Sequence, residues 1–367
     1  MTVVHIAMLL GCAVAIYLAC EWFVNAVEWL GVRWKMGTLA IGTVLAAIGT
    51  ALPESVVTLV AVTLGHSEQS KDIGVGAAMG GPLALATIAY GVTGWMLLSR
   101  RRTLRAKSAP AQVRVGVGGA PGAGTGAGAG DPATAGSIPD VDPMAGVDLR
   151  GLAGDQTWFL CIFAVKVSLG LVAFAIKPWL GLLFFAAYAV YVVREMRADA
   201  DAHSDADLEP LKLQPNRETP AGWAVAVQTV GTLAIIFVAS QLFVAQLEWA
   251  GPALGLPAAV TALLLSPIAT ELPEVMNAVI WVRQGKTHLA LANISGAMMI
   301  QATVPSGLGL LFTPWRFDGA LLLSGLVTMA AIIYLLALTR YRRFTAGRLA
   351  LAGAFYGVFA VGLVLLG

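Results

Sequence analysis

The chain has 367 residues, of which 58% are apolar and 12% charged, and its mean hydropathy is +0.78. Soluble domains carry about 25% charged residues, so this composition excludes an ordinary water-soluble protein. The net charge of +2 does not support a nucleic-acid partner, and the three cysteines all lie in apolar runs, which excludes a disulfide framework and a zinc site.

Apolar segments long enough to cross a bilayer recur along the whole chain. A spanning helix needs about 20 mostly apolar residues, because the hydrocarbon core is about 30 Å thick. The first segment lacks a basic start and a small-residue cleavage site, so we interpret it as a span and not as a signal peptide. The sequence predicts an all-α multi-pass membrane protein in a lipid bilayer. The ten predicted spans are 3–30, 36–64, 73–99, 157–176, 178–195, 221–250, 256–283, 288–313, 318–338 and 346–366.

The loops between these spans differ in charge. Lysine and arginine favour the cytoplasmic side of a membrane, and they concentrate here in alternate loops. The other loops hold only Lys71, Lys177 and Arg316, which predicts a plasma-membrane protein with both termini outside. The Gly/Ala/Pro-rich segment 100–156 is predicted to be a flexible cytoplasmic linker. The cytoplasmic loop 196–219 is acidic, and it is either simply solvated or a cation sensor.

The chain contains an internal repeat. Residues 17–56 align without a gap on 237–276, at a constant offset of 220 positions, the difference between Glu274 and Glu54. Both copies carry a Glu-Trp pair and a Leu-Pro-Glu triplet. Each half holds five predicted spans, an odd number, so the second copy enters the membrane with opposite polarity. Such inverted repeats are typical of transporters.

This repeat divides the chain into five predicted segments. They are spans 1–3 of the first repeat (1–99), the linker (100–156), spans 4–5 of the first repeat (157–195), the acidic loop (196–219) and the second repeat (220–367).

The repeated triplets place carboxyl groups deep inside two predicted spans. Inserting a carboxylate at that depth costs at least about 2.5 kcal/mol of free energy. Glu54 and Glu274 are therefore expected to have an interaction partner or a functional role. Pro53 and Pro273 precede them, and a proline frees carbonyls one turn earlier. With the hydroxyls of Thr50 and Thr270, these groups form an all-oxygen ligand set, which hard cations such as Ca²⁺ and Na⁺ prefer. The alternative is a pair of proline kinks with protonated, structural glutamates.

Further residues in these spans suggest coupling to a second ion. Glu271 lies three positions before Glu274 and adds a third carboxyl, which a proton or monovalent cation could balance unless its side chain points elsewhere. Lys166 lies in the middle of the fourth span and is expected to face the bundle, in a structural ion pair or in a transport role. Glycines and prolines in the third and eighth spans are interpreted as helix breaks or as close packing contacts. These are Gly76, Gly80, Gly81, Pro82, Gly296 and Pro305.

Together these motifs resemble those of the sodium/calcium exchangers, in the calcium/cation antiporter superfamily. The family's Gly-Thr-Ser-Leu-Pro-Glu motifs correspond to residues 49–54 and 269–274, so the resemblance implies that Glu54 and Glu274 bind calcium, with Thr50 and Thr270 as further ligands. The family's second motif, G-N-x-x-G-S-N-x-x-N/D, resembles residues 76–85 and 292–301. Gln301 occupies its last polar position and is a coupling-ion candidate.

The second motif departs from the family pattern. Its polar positions read Ala77, Gly81, Pro82 and Leu85 in the first half, and Asn293, Ala297, Met298 and Gln301 in the second. By the resemblance, such positions help to build sodium sites, so their loss bears on sodium coupling more than on divalent-cation binding. A proton could take the place of sodium.

The sequence thus predicts a secondary antiporter that exchanges a divalent cation, foremost Ca²⁺, for Na⁺ or H⁺ by alternating access. No cofactor is expected beyond the transported ions, and no nucleic acid or enzymatic activity, since the spans hold no Ser/His, paired-Asp or zinc-ligand arrangement. Two alternatives remain: an antiporter of monovalent cations and protons, and a membrane sensor or scaffold that does not transport.

Overall fold

The computed structural model describes residues 2–37, 40–63, 68–108, 147–198, 208–253, 264 and 266–366. All regular secondary structure in these residues is helical. The α-helices, in chain order, are α1 Thr2–Arg33, α2 Ala47–Thr63, α3 Glu68–Ala84, α4 Tyr90–Ser108, α5 Leu149–Leu171, α6 Gly181–Ala198, α7 Gly222–Ala253, α8 Ser266–Thr270, α9 Leu272–Gln284, α10 Thr287–Phe312, α11 Gly319–Arg340, α12 Ala346–Ala350 and α13 Gly353–Leu366. Two π-helical segments, Ile41–Ala46 and Leu85–Ala89, precede α2 and α4, and a 3₁₀ turn, Lys177–Leu180, precedes α6.

Eight segments of the described chain are long and apolar enough to cross a membrane. They coincide with eight of the ten predicted spans, which confirms a multi-pass all-helical membrane protein. The predicted spans 36–64 and 256–283 are built differently. The first combines the π-helical segment Ile41–Ala46 with the 17-residue α2, and the second is interrupted at Glu271 within its described part. Residues 254–263 lie outside the described residues.

The ends of the predicted linker need correction. Helix α4 continues to Ser108, and α5 begins at Leu149 instead of 157, because the side chain of Asp148 caps it by accepting from the backbone N of Arg150 at 2.9 Å. Helix α5 also ends at Leu171, earlier than the predicted 176. Residues 109–146 of the linker and 199–207 of the acidic loop lie outside the described residues.

The distribution of buried surface is that of a bundle in lipid. Large apolar side chains on the outer helices are exposed, for example Leu10 at 59% and Leu365 at 80%. In water so many exposed apolar groups would drive association, whereas in a bilayer they contact acyl chains. Helix α10 is the most enclosed candidate span, with 83% of its most apolar stretch buried. The centre of the bundle is therefore built around α10.

Helices α1 and α7 pack side by side and run antiparallel. Near one end, the rings of His5 and Trp249 stack at 3.7 Å. Near the other end, Arg33 donates from Nη1 to the carbonyl of Pro220 at 3.2 Å, just before α7 begins. Because the first residues of α1 meet the last residues of α7, the two helices traverse the bundle in opposite directions.

The segment that leads into α7 fastens this helix pair. Asn25 of α1 donates to the carbonyls of Glu209 and Pro210, and its Oδ1 accepts from the backbone N of Lys212. Gln228 of α7 donates from Nε2 to the same Oδ1 at 3.1 Å and accepts from the backbone N of Leu213. Helices α1 and α7 are thus joined at this end through residues 209–213.

A buried ion pair joins α1 to the end of α9. Lys286 donates from Nζ to Glu28 Oε2 at 2.5 Å, and Trp281 donates from Nε1 to Glu28 Oε1 at 2.9 Å, with Glu28 only 5% exposed. Hydrogen bonds to a buried carboxylate stabilise by about 1.5–3 kcal/mol each, because the alternative is a buried group without a partner.

Replacing Glu28 with alanine is therefore expected to destabilise the protein by about 2–4 kcal/mol, since the Lys286 ammonium and the Trp281 indole both lose their acceptor. The midpoint of thermal unfolding in detergent measures this change. As a control, Glu21→Ala removes an ion pair to Lys212 in which both side chains are partly exposed, at 37% and 25%, and it should cost less than about 1 kcal/mol. Equal shifts in the two variants would contradict the assignment.

Candidate cation site

The described part of predicted span 256–283 is a broken helix. Helix α8 ends at Thr270, Glu271 takes a turn conformation with φ −86° and ψ 3°, and α9 begins at Leu272. Pro273 lies in the first turn of α9, where its missing N–H is not needed. Pro273, which the sequence predicts as a helix-break position, thus lies directly after the break, in the first turn of a new helix. The break exposes a helix N-terminus, which carries partial positive charge, beside Glu271 and Glu274.

The first half of the chain is built differently at the equivalent position. Pro53 lies inside the continuous helix α2, so it does not break the helix as expected. The irregularity occurs instead upstream, in the π-helical segment Ile41–Ala46. A π-helical segment interrupts the regular i→i−4 hydrogen bonds and often marks a functional position. Residue 54 belongs to α2, but the side chain of Glu54 lies outside the described residues.

Three glycines expected at helix breaks lie within continuous helices instead. Gly80 and Gly81 belong to α3, and Gly296 belongs to α10. A methyl group on Gly80 would lie 2.6 Å from Pro267 Cγ, and one on Gly296 would lie 2.0 Å from the carbonyl O of Thr43. These positions are glycine because another chain segment passes against the helix backbone, which is the packing alternative raised from the sequence.

These contacts are reciprocal between the two halves of the chain. Gly80 of the first half touches Pro267, at the start of the broken helix of the second half. Gly296 of the second half touches Thr43, in the π-helical segment of the first half. Each irregular segment is therefore held against the glycine face of a helix from the other half, and both irregular segments lie at the interface between the halves.

Two coupling-ion candidates meet at this interface. Gln301 of α10 donates from Nε2 to Glu271 Oε1 at 2.5 Å, and both side chains are fully buried, at 1% and 0% exposure. A methyl group on Gly81 would lie 2.2 Å from Gln301 Oε1 and 2.7 Å from Glu271 Oε1. Glycine at 81 thus leaves the space that the carboxyl and amide groups occupy.

Glu274 lies in the first turn of α9 and is 1% exposed. Asn293 of α10 donates from Nδ2 to the backbone carbonyl of Glu274 at 3.4 Å, and the thiol of Cys20 in α1 contacts the carbonyl of Pro273 at 3.7 Å. This segment of α9 therefore lies between the central helix α10 and the peripheral helix α1. A group in this position can face either packing partner.

Asparagine side chains surround the same turn of α9. Asn277 lies three positions after Glu274, on the same face of the helix, and is fully buried. In the part of the chain that the structure describes, neither amide atom of Asn277 has a hydrogen-bond partner, and neither does Oδ1 of Asn293. Buried amides normally find partners, so these oxygens are well suited to accept a ligand such as a cation. Sequence reasoning missed Asn277, although its spacing from Glu274 could have indicated it.

The two threonines expected as ligands each donate a hydrogen bond to a backbone carbonyl in their own part of the chain. Thr50 is buried and donates from Oγ1 to the carbonyl of Ala46 at 3.1 Å, at the end of the π-helical segment. Thr270 is partly exposed and donates to the carbonyl of Pro267 at 3.3 Å. Each hydroxyl donates its hydrogen bond to a carbonyl, and the lone pairs of its oxygen can still bind a cation.

Lys166 of α5 is fully buried, as expected, but its partner is different. Its Nζ donates to the backbone carbonyl of Ala78 in α3 at 2.6 Å and lies 4.7 Å from the ring centre of Phe163. Among the described residues, no carboxylate lies within 4.0 Å of this ammonium, so the expected structural ion pair is not found there.

Together these groups can bind a hard cation. The carboxyl groups of Glu271 and Glu274 and the amides of Asn277, Asn293 and Gln301 are all buried, at the start of α9 and on helix α10, which packs against it. In a membrane core such carboxylates cost about 2.5–3.5 kcal/mol each on insertion scales, and cation binding offsets that cost. Within the described residues no cluster of three or more His, Cys, Asp or Glu side chains forms.

The family model described as sodium/calcium exchanger protein matches residues 4–118 and 224–366. No curated protein matches the chain.

Solved structures of the sodium-calcium exchanger NCX_Mj share the fold. The form soaked with 10 mM Na⁺ and zero Ca²⁺ aligns with a TM-score of 0.68 at 16% identity, over 98% of each chain. The form soaked with zero Na⁺ and Ca²⁺ aligns with a TM-score of 0.69 at 16% identity, over 99% of this chain and 100% of the other. The form with 2.5 mM Na⁺ and 10 mM Sr²⁺ also gives 0.69 at 16% identity, over 98% of each chain.

Proposed function

The chain belongs to the sodium/calcium exchanger protein family, and on that basis we propose that it exchanges a divalent cation, foremost Ca²⁺, for Na⁺ or H⁺ by alternating access. Members of this family are cation antiporters of the membrane and not enzymes, so the chain acts on small cations in a lipid bilayer. We propose Ca²⁺ as the substrate of this chain and Na⁺ or H⁺ as its coupling ion.

The observation that carries the proposal is the pair of wholly buried carboxyl groups at the helix break. Glu271 is 0% and Glu274 is 1% exposed, and amide side chains of α9 and α10 surround them. A site of carboxylate and amide oxygens suits Ca²⁺, which takes 6–8 oxygen ligands in flexible geometry. We assign Glu274 and Glu54 as the principal calcium ligands, with Thr50 and Thr270 completing the set.

The proposed architecture is ten spans in two inverted repeats of five. Eight spans are described, and we assign the remaining two to segments 36–64 and 256–283, which contain the π-helical segment and the broken helix. The antiparallel course of α1 and α7 and the reciprocal contacts of Gly80 and Gly296 support an inverted relation between the halves. We further propose the segments 1–99 and 157–195, with the linker between them, as the first repeat and 220–367 as the second. Both termini would then lie outside, with 100–156 and 196–219 in the cytoplasm.

Alternating access requires part of the protein to move past the site. Helices α1 and α7 are joined through residues 209–213, so they are suited to move as one unit. Helix α1 also touches the site directly, through the contact of Cys20 with Pro273. We propose that movement of this pair opens the site to one side of the membrane at a time.

The test is uptake of ⁴⁵Ca²⁺ into proteoliposomes that contain the purified protein, under an imposed Na⁺ gradient or an imposed pH gradient. Uptake driven by either gradient supports the proposal and identifies the coupling ion. If neither gradient drives uptake, calcium exchange is excluded, and Na⁺ or K⁺ transport against H⁺ then separates a monovalent antiporter from a scaffold that does not transport.

Glu271 is the proposed carrier of a coupling proton, because its carboxyl group is fully buried and accepts a hydrogen bond from the neutral amide of Gln301. We expect Glu271→Gln to leave calcium binding within about tenfold of the parent and to abolish the dependence of uptake on the pH gradient. Initial rates between pH 6 and pH 9 measure this. A variant whose pH profile matches that of the parent would contradict the role of Glu271.

A further inference from the structure

Helix α3 contains a proline in its last turn. Pro82 has no backbone N–H, so the carbonyl four positions earlier, that of Ala78, loses its helical hydrogen bond. A carbonyl oxygen freed inside a membrane must find another partner, because no water is available there. The oxygen of such a carbonyl is also a good ligand for a small cation.

The partner of this freed carbonyl is an ammonium group. Lys166 reaches from α5 and donates from Nζ to Ala78 O at 2.6 Å, and its side chain is 0% exposed. The ring of Phe163 lies 4.7 Å from Nζ and adds a cation–π contact. The amine thus gives the freed carbonyl a cationic partner, and a covalent tether holds it there.

Two partly exposed basic residues of the described chain have carboxylate partners, whereas the buried lysines Lys166 and Lys177 bond to backbone carbonyls. Arg194 lies 2.6 Å from Asp155, and Lys286 lies 2.5 Å from Glu28, so each of these cations is neutralised locally. No carboxylate of the described residues lies within 4.0 Å of Lys166. Among the described residues, the Lys166 ammonium is therefore not neutralised by an adjacent carboxylate.

Charge balance gives this arrangement a function. The proposed site holds three carboxyl groups, Glu54, Glu271 and Glu274, so a bound divalent cation leaves one negative charge in the membrane core. Uncompensated charge there is expensive, and charges in a medium of low dielectric constant interact without direct contact.

We propose that Lys166 is a resident cation of the exchanger, which takes the place of one bound monovalent cation and makes the calcium-loaded site electrically neutral. This inference rests on the proposed function. Its consequence is that the calcium-loaded protein needs no additional Na⁺ or H⁺ in order to change its orientation in the membrane.

Calcium self-exchange isolates this step, since it requires no coupling ion. Proteoliposomes loaded with Ca²⁺ take up ⁴⁵Ca²⁺ in a buffer whose only monovalent cation is the bulky N-methyl-D-glucamine, at pH 8. We expect the parent protein to exchange under these conditions and added Na⁺ to change the rate less than twofold. The Lys166→Met variant should exchange at least tenfold more slowly, and Na⁺ or Li⁺ on both sides should restore most of the rate.

Two further variants control for structural effects. Lys166→Arg keeps the charge and should retain exchange without Na⁺. Lys177→Met removes another buried lysine, whose Nζ donates to the carbonyls of Val172, Pro314 and Trp315 at the end of a span, and it should not create a requirement for Na⁺. Size-exclusion chromatography reports whether each variant is folded.

The outcomes separate this inference from the proposed function. If the parent protein shows neither self-exchange nor gradient-driven uptake, the proposed function fails. If the parent transports calcium but itself needs Na⁺ for self-exchange, the amine does not supply the charge and the inference is overturned. A folded Lys166→Met variant that exchanges as fast as the parent, or that Na⁺ does not restore, also overturns it. If that variant does not fold, the parent and Lys166→Arg measurements without Na⁺ decide.

Discussion

Replacing Glu274 with glutamine is expected to reduce calcium transport by at least about 100-fold. The carboxyl group is 1% exposed in the first turn of α9, where water cannot supply a substitute ligand. An ion pair at 4 Å is worth about 4 kcal/mol at an effective dielectric constant of 20, so losing the charge costs about 3 kcal/mol or more of binding free energy. That loss corresponds to a factor of at least about 100 in affinity.

The measurement is the concentration dependence of ⁴⁵Ca²⁺ uptake in proteoliposomes with equal amounts of folded protein. Glutamine keeps the shape of the side chain and one of its two acceptor oxygens, so the change tests the loss of the charged oxygen and not packing. The control is Glu21→Gln, which removes a carboxylate that pairs with Lys212 and is 37% exposed, and it should leave transport within twofold of the parent. Uptake by Glu274→Gln within threefold of the parent would show that this carboxylate does not bind the ion.

Replacing Gly296 with alanine is the change expected to cost most in stability. The added methyl group would lie 2.0 Å from the carbonyl O of Thr43. The contacting atoms of Thr43 belong to the backbone, so they cannot rotate away as a side chain could. Helix α10 and the π-helical segment would have to separate, in a bundle packed as densely as a crystal. We expect a loss of about 3 kcal/mol or more, at the upper end for overpacked sites.

Gly76 of α3 provides the matched control, because a methyl group there would meet no other atom within 4 Å. Gly76→Ala should be neutral or stabilise by up to about 1 kcal/mol, since alanine restricts the unfolded chain and favours the helix. Thermal unfolding in detergent compares the two variants. If Gly296→Ala unfolds at the temperature of the parent, the close contact between the halves is wrong, and with it the argument from reciprocal packing.

The sequence by itself determined the class of protein. Spans are visible in a linear sequence because bilayer thickness sets a minimum length of apolar residues, a local property that needs no knowledge of neighbours. The repeat of the Leu-Pro-Glu triplet around Glu54 and Glu274 is also visible there, because aligning the two halves of the chain brings identical residues together. These features, together with the family resemblance that the repeated motifs carry, were enough to predict a membrane exchanger, and the family match confirms that prediction.

Only the tertiary structure decided how the site is assembled. The same triplet lies inside a continuous helix at Pro53 and begins a new helix at Pro273, so local sequence does not dictate the break. The bond of Gln301 to Glu271 spans 30 positions, and that of Lys166 to Ala78 spans 88. Such contacts follow from which helix faces meet in the bundle. In lipid, the contacting faces are determined by close packing and by the need of buried polar groups for hydrogen-bond partners. The pattern of apolar residues along the sequence contains neither kind of information.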